Sequence, residues 1–110
     1  MSLSKQSPDL FGFTEKQWGT LTELFLKHPA IQKATLFGSR AKGNYKAASD
    51  VDLAIEGTDL DISTLLRFQA DLEESTLPYF FDVIDLKMVD SNELLQHIQE
   101  FGVTIYDSKA

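Results

Sequence analysis

Residues 36–56, LFGSRAKGNYKAASDVDLAIE, constrain this chain more than any other stretch. An apolar strand through Ala34, Leu36 and Phe37 stops at Gly38-Ser39-Arg40. The chain passes a second glycine, Gly43, and returns through Ser49-Asp50-Val51-Asp52 into a second strand, Leu53-Ala54-Ile55. A strand that ends at Gly-Ser and turns into a short helix leaves backbone N–H groups unpaired, and these suit phosphate oxygens, with the serine hydroxyl as a further donor. Side chains alternate along a strand, so Asp50 and Asp52 share one face while Val51, Leu53 and Ile55 face a core. Two carboxylates beside a phosphate cradle make a Mg²⁺ site, because Mg²⁺ favours a few carboxylates together with substrate phosphate oxygens. The expected ligand is a nucleoside triphosphate with its metal.

Spacing excludes two other motifs. Gly38 and Gly43 satisfy half of a P-loop, but Asn44-Tyr45 stands where lysine and serine or threonine must follow. A calcium loop starting at Asp50 would need an oxygen ligand at Ala54 and glycine at Ile55.

The rest of the chain reads as scaffold. Thr14 with Gln17 forms a capping box, and Trp18, Leu21, Leu24, Phe25 and His28 then recur at helical spacing until Pro29. Residues 31–37 and 51–55 are predicted strands, with a short helical turn over 39–43. Asp59 or Asp61 caps a helix carrying Ile62, Leu65, Phe68 and Leu72. The run 79–86, YFFDVIDL, is apolar enough to be a central strand covered on both faces, which makes its two aspartates costly unless paired or metal-bound. Asp82 and Asp85 are three apart and fall on opposite faces, so only one of them can join Asp50 and Asp52; parity alone does not choose. Asp90 with Glu93 opens a last helix bearing Leu94, Leu95, Ile98 and Phe101, and Gly102 is its C′ residue. A short strand over 103–106 follows. His28 is accounted for by a helix C-terminal dipole and His97 by a helical pair with Glu93, so neither receives a site role. Lys42 and Lys46 read as solvated loop cations.

Gly38-Ser39-Arg40-Ala41-Lys42-Gly43 followed by Ser49-Asp50-Val51-Asp52-Leu53-Ala54-Ile55 closely resembles the signature of the minimal nucleotidyltransferases (MNT) of the DNA polymerase β-like superfamily. The resemblance runs over residues 31–106 and implies an α/β (α+β) fold, a small mixed sheet flanked by helices. It implies that the third carboxylate is Asp82, mid-strand between Phe81 and Val83. It implies that Asp50, Asp52 and Asp82 are the catalytic metal ligands for Mg²⁺, and that Gly38, Ser39, Arg40 and Ser49 bind the ATP substrate. It further implies a HEPN-type helical protein as partner in a hetero-oligomer, a toxin that this chain would neutralise by transferring AMP to a tyrosine. Two alternatives stand beside this: a non-catalytic subunit that neutralises the same partner by occlusion, and nucleotidylation of a small molecule of the aminoglycoside type, for which the chain lacks a drug-binding domain.

Composition narrows the partners. At 110 residues the chain is expected to be one domain, 1–110, with loose tails at 1–10 and 107–110. Ten Lys and Arg against 17 Asp and Glu leave 10 − 17 = −7, which argues against nucleic acid, whose binding rests on basic surfaces. The absence of cysteine removes disulfide and thiol chemistry. No apolar run approaches the roughly 20 residues that span a bilayer, so a cytoplasmic setting without membrane contact is expected.

Overall fold

A computed structural model describes residues 2–3 and 8–109. Its sheet has five strands in the order β1-β5-β2-β3-β4: β1 Ser2–Leu3, β2 Lys33–Phe37, β3 Val51–Glu56, β4 Phe81–Asp85 and β5 Val103–Asp107. Strand β3 runs antiparallel to β2 and parallel to β4, while β5 is antiparallel to both β2 and β1. The sheet is therefore mixed, as expected. The parallel pair requires a crossover, which α3 (Ile62–Glu74) supplies.

Four helices accompany the strands among the described residues: α1 (Glu15–Leu26), α2 (Gly38–Lys42), α3 and α4 (Asn92–Phe101). The capping box at Thr14 forms in full, with Gln17 N–H donating to Thr14 Oγ1 at 3.1 Å and Thr14 N–H donating to Gln17 Oε1 at 3.0 Å. Helix α3 is capped by Asp61, which accepts from Thr64 N–H at 2.8 Å. At α4 the cap is Ser91 rather than Asp90. Gly102 also departs from expectation: its φ is −65°, so left-handed geometry is not the reason for glycine. A Cβ there would collide with the Ile98 carbonyl and the Thr35 methyl, so glycine lets the chain turn from α4 into β5 against the sheet.

The two faces of the sheet differ. On one, α1 and α3 enclose the main core, with Val51, Leu53 and Ile55 of β3 fully buried as alternation predicts. Phe25 sits between Phe68 (5.3 Å) and Tyr106 (4.7 Å), its ring stacked on each. Burial of one such side chain contributes about 1.5–3 kcal/mol. On the other face α4 alone packs, burying Ile98 against Phe37 and Ala54, with Ile84 and Leu94 alongside. That small cluster covers one end of the face and leaves the end nearest Asp50 and Asp52 uncovered by α4.

Three expectations are corrected. Strand β4 is at the edge of the sheet, not its centre, and Asp82 is exposed, because the run's apolar residues divide between the main core (Val83) and the α4 cluster (Ile84). The 1–10 tail is tied down in part: β1 pairs Leu3 with Tyr106, and Pro8–Phe11 forms a 3-10 turn; residues 4–7 lie outside the described residues. At the other end Asp107 belongs to β5, and Ser108 N–H donates to Gln32 O at 2.8 Å; residue 110 is outside the described residues. Among the described residues no helix is long and apolar enough to cross a membrane.

Candidate functional site

The site assembles where β2 gives way to α2. Gly38, φ +76°, follows Phe37 directly, and Phe37 is paired across the ladder with Asp52. A side chain on Gly38 would run into the Asp52 carboxylate, so glycine serves both the backbone conformation and the close approach of that acid. Ser39 is half-buried in the first turn of α2.

The parity left open by the sequence is resolved by register. Asp52 lies opposite Asp82 in the parallel β3–β4 pair, whereas Asp85 lies opposite Ile55. Asp85 instead caps the 3-10 turn Leu86–Met88, accepting from Lys87 N–H at 3.2 Å, and pairs with Lys87 Nζ at 3.6 Å. Asp50, one residue before β3, is exposed on the face that Asp52 shares. Burial pushes the Asp52 carboxyl above the usual carboxylate range; the negative charges of Asp82 and then Asp50 push it further, while His97 acts in the opposite direction.

A divalent cation would relieve that mutual repulsion, and carboxylate oxygens are the donors Mg²⁺ favours, so the chemistry of the set fits. The side chains nonetheless do not converge: among the described residues no three His, Cys, Asp or Glu side chains gather closely enough to hold a metal as they stand. An apolar cleft of about 450 Å³ lies elsewhere, on the α3 side of β4 between Leu60, Leu65, Val83 and Met88.

Arg40 is the largest correction. The guanidinium expected on phosphate is 1% exposed. Its Nη1 donates to Phe11 O at 2.8 Å, Nη2 to Ser49 O at 2.9 Å and Ala47 O at 3.3 Å, and Nε to Ser49 O at 3.2 Å. The rings of Tyr79, Tyr45 and Phe13 surround it, 4.6, 5.0 and 5.5 Å from its central carbon. Arg40 thus ties the 43–50 loop to the segment before α1. Ser49, also expected on the nucleotide, belongs to the same brace: its carbonyl receives Arg40 and its Oγ accepts Lys46 N–H at 2.8 Å. Together they fix where Asp50 and Asp52 enter β3.

Both histidines are engaged beyond their helices. His28 meets Asp71 at 2.7 Å and the edge of Phe68, joining α1's end to α3. His97 Nε2 accepts Gly38 N–H at 3.0 Å, with its ring 6.1 Å from Phe37 and 5.4 Å from Phe101. Lys42 Nζ stands 5.1 Å over the Phe101 ring, placing an exposed cation at the other end of α2. Only the docking of α4 on Phe37 and Ala54 brings His97 to the glycine turn, and no local spacing signals that.

The family model described as Polymerase beta, Nucleotidyltransferase matches residues 19–110. Among solved structures, the chain is similar to a toxin–antitoxin complex with AMP-PNP, at 26% identity and TM-score 0.67, covering 82% of this chain and 73% of that one. It is similar to a chain of a tri-AMPylated Shewanella oneidensis HEPN toxin in complex with MNT antitoxin, at 23% and 0.61, covering 84% and 71%. It is similar also to a chain of the MntA–HepT toxin–antitoxin pair, at 22% and 0.63, covering 87% and 74%. A search of curated protein sequences gives no match.

Proposed function

The chain belongs to the Polymerase beta, Nucleotidyltransferase family, and from that premise we propose that it transfers AMP from ATP to a hydroxyl of a HEPN-type partner protein, as the antitoxin of a toxin–antitoxin pair. The observation that carries the reading is the register of Asp52 against Asp82, with Asp50 on the same face and the Gly38-Ser39 turn beside them.

Gly38 and Ser39 bind the β- and γ-phosphates through backbone N–H groups and the Ser39 hydroxyl, and Lys42 supplies the cation that Arg40 cannot. Asp50, Asp52 and Asp82 hold Mg²⁺. When bound, Mg²⁺ neutralises phosphate charge and favours in-line displacement at phosphorus. The acceptor oxygen bonds to the α-phosphorus, the bond to the bridging oxygen breaks, pyrophosphate leaves, and Asp82 accepts the hydroxyl proton. In-line geometry sets attacking and leaving oxygens opposite each other. With the leaving group at the β2–α2 turn, the acceptor approaches from the β4 edge, where Asp82 is exposed and Phe80 is 83% exposed. That edge is open to a protein acceptor.

The test is intact mass of the HEPN partner after incubation with this chain, ATP and Mg²⁺, beside an Asp50→Ala/Asp52→Ala control. A mass gain of one or more AMP groups, absent in the control, is expected. A stable complex without mass gain would replace transfer by occlusion, which one observation favours: the three carboxylates do not gather into a ligand set as they stand.

A further inference from the structure

The hydrogen bond from Gly38 N–H to His97 Nε2, 3.0 Å long, joins residues 59 apart in sequence and occupies a backbone donor of the phosphate turn. An N–H carries one hydrogen and makes one good bond, so a ring nitrogen and a phosphate oxygen compete for it. An accepting Nε2 places the proton of the neutral ring on Nδ1. The imidazole is held there by packing against Phe37 at the end of β2 and Phe101 of the same helix. Its charge is also felt by Asp52.

We propose that His97 is an internal occupant of the nucleotide phosphate site, holding the Gly38 N–H until a phosphate oxygen of the triphosphate takes its place. This rests on the nucleotidyl-transfer reading and adds a residue of α4 to it as a positioning residue acting through Gly38. In the resting chain the bond keeps the glycine turn formed and its donor satisfied. Binding of nucleotide exchanges one acceptor for another, so the chain binds ATP more weakly than it would with that N–H free. The penalty is the net worth of one hydrogen bond, which corresponds to about two- to tenfold in affinity.

The experiment is calorimetric titration of ATP with Mg²⁺ into the wild type, His97→Phe and His97→Gln, with thermal melts alongside. Phenylalanine keeps a ring between Phe37 and Phe101 and removes the acceptor; glutamine keeps an acceptor. The expected result is about two- to tenfold tighter ATP binding by His97→Phe, with His97→Gln near the wild type. Unchanged or weaker binding by a folded His97→Phe overturns the proposal, since a merely structural role would loosen the turn and weaken binding.

Nitrogen-15 resonances of the wild-type His97 ring give a second readout independent of any variant. Addition of ATP and Mg²⁺ should shift Nε2 away from its hydrogen-bonded position, and an unmoved resonance in the ATP-bound chain refutes the exchange. ATP binding with a moved ring but no AMP on the partner would leave this inference standing and remove the transfer reading. Transfer with an unmoved ring would do the reverse, and no ATP binding by any form removes both.

Discussion

Replacing Arg40 by methionine separates a structural brace from a phosphate ligand. The side chain makes four N–H···O contacts to the carbonyls of Phe11, Ala47 and Ser49 and is enclosed by three aromatic rings. Hydrogen bonds to a charged group contribute about 1.5–3 kcal/mol each, but methionine also relieves the desolvation of the guanidinium and keeps apolar contact with the rings. The net loss expected is about 3 kcal/mol, the low end of the 3–5 kcal/mol that follows from breaking a buried charged pair. For a chain of this length the unfolding entropy is about 0.23 kcal/mol/K, so the melting temperature should fall by about 13 °C. Total stability at 0.05–0.15 kcal/mol per residue is about 5–15 kcal/mol, so the variant still folds in the cold. The assay is thermal unfolding by circular dichroism, with ATP titration below the transition. A melting temperature within about 4 °C of wild type, together with a tenfold or greater loss of ATP affinity, would refute the brace and restore the phosphate role.

Asp82→Asn should reduce AMP transfer by at least about 100-fold, the scale of a lost general base, while the melting curve stays put because Asp82 is exposed; retained transfer, read by partner mass, sinks its assignment. Asp52→Asn should raise the melting temperature at neutral pH in metal-free buffer. The Asp52 carboxyl is raised above its unfolded value of 3.8, so the folded chain holds more protons and stability falls as pH rises between those two values; the gain from asparagine should therefore disappear when melts are run below about pH 3.8. Gly38→Ala forces a left-handed alanine against the Asp52 carboxylate, and a loss of about 1–2 kcal/mol by urea denaturation is expected, with transfer abolished; an unchanged midpoint would show that the turn relaxes freely.

Local chemistry made much of this protein legible from its residues. The capping box at Thr14, the alternation of Val51, Leu53 and Ile55, and the glycine-serine turn before two acids are all written within one element or one connection, where spacing maps directly onto geometry. Asp82 required more, since three-residue separation from Asp85 forbids a shared face but cannot say which acid faces β3; the Asp52–Asp82 register decides it.

What only the tertiary structure decided depends on contacts between distant segments. An apolar run such as 79–86 reads the same whether it lies at the centre or the edge of a sheet, because burial of its side chains by α3 and α4 does not require a second neighbouring strand. Arg40 in a loop reads as a solvated or phosphate-seeking cation until Phe13, Tyr45 and Tyr79, from three separate segments, close around it. His97 reads as one partner of a helical pair until α4 docks beside Phe37 and brings its ring to Gly38. Sequence periodicity thus determined the elements and the acids' shared face; long-range packing determined which polar groups remain for a ligand, because a side chain's donors are committed only when their acceptors arrive from elsewhere in the chain.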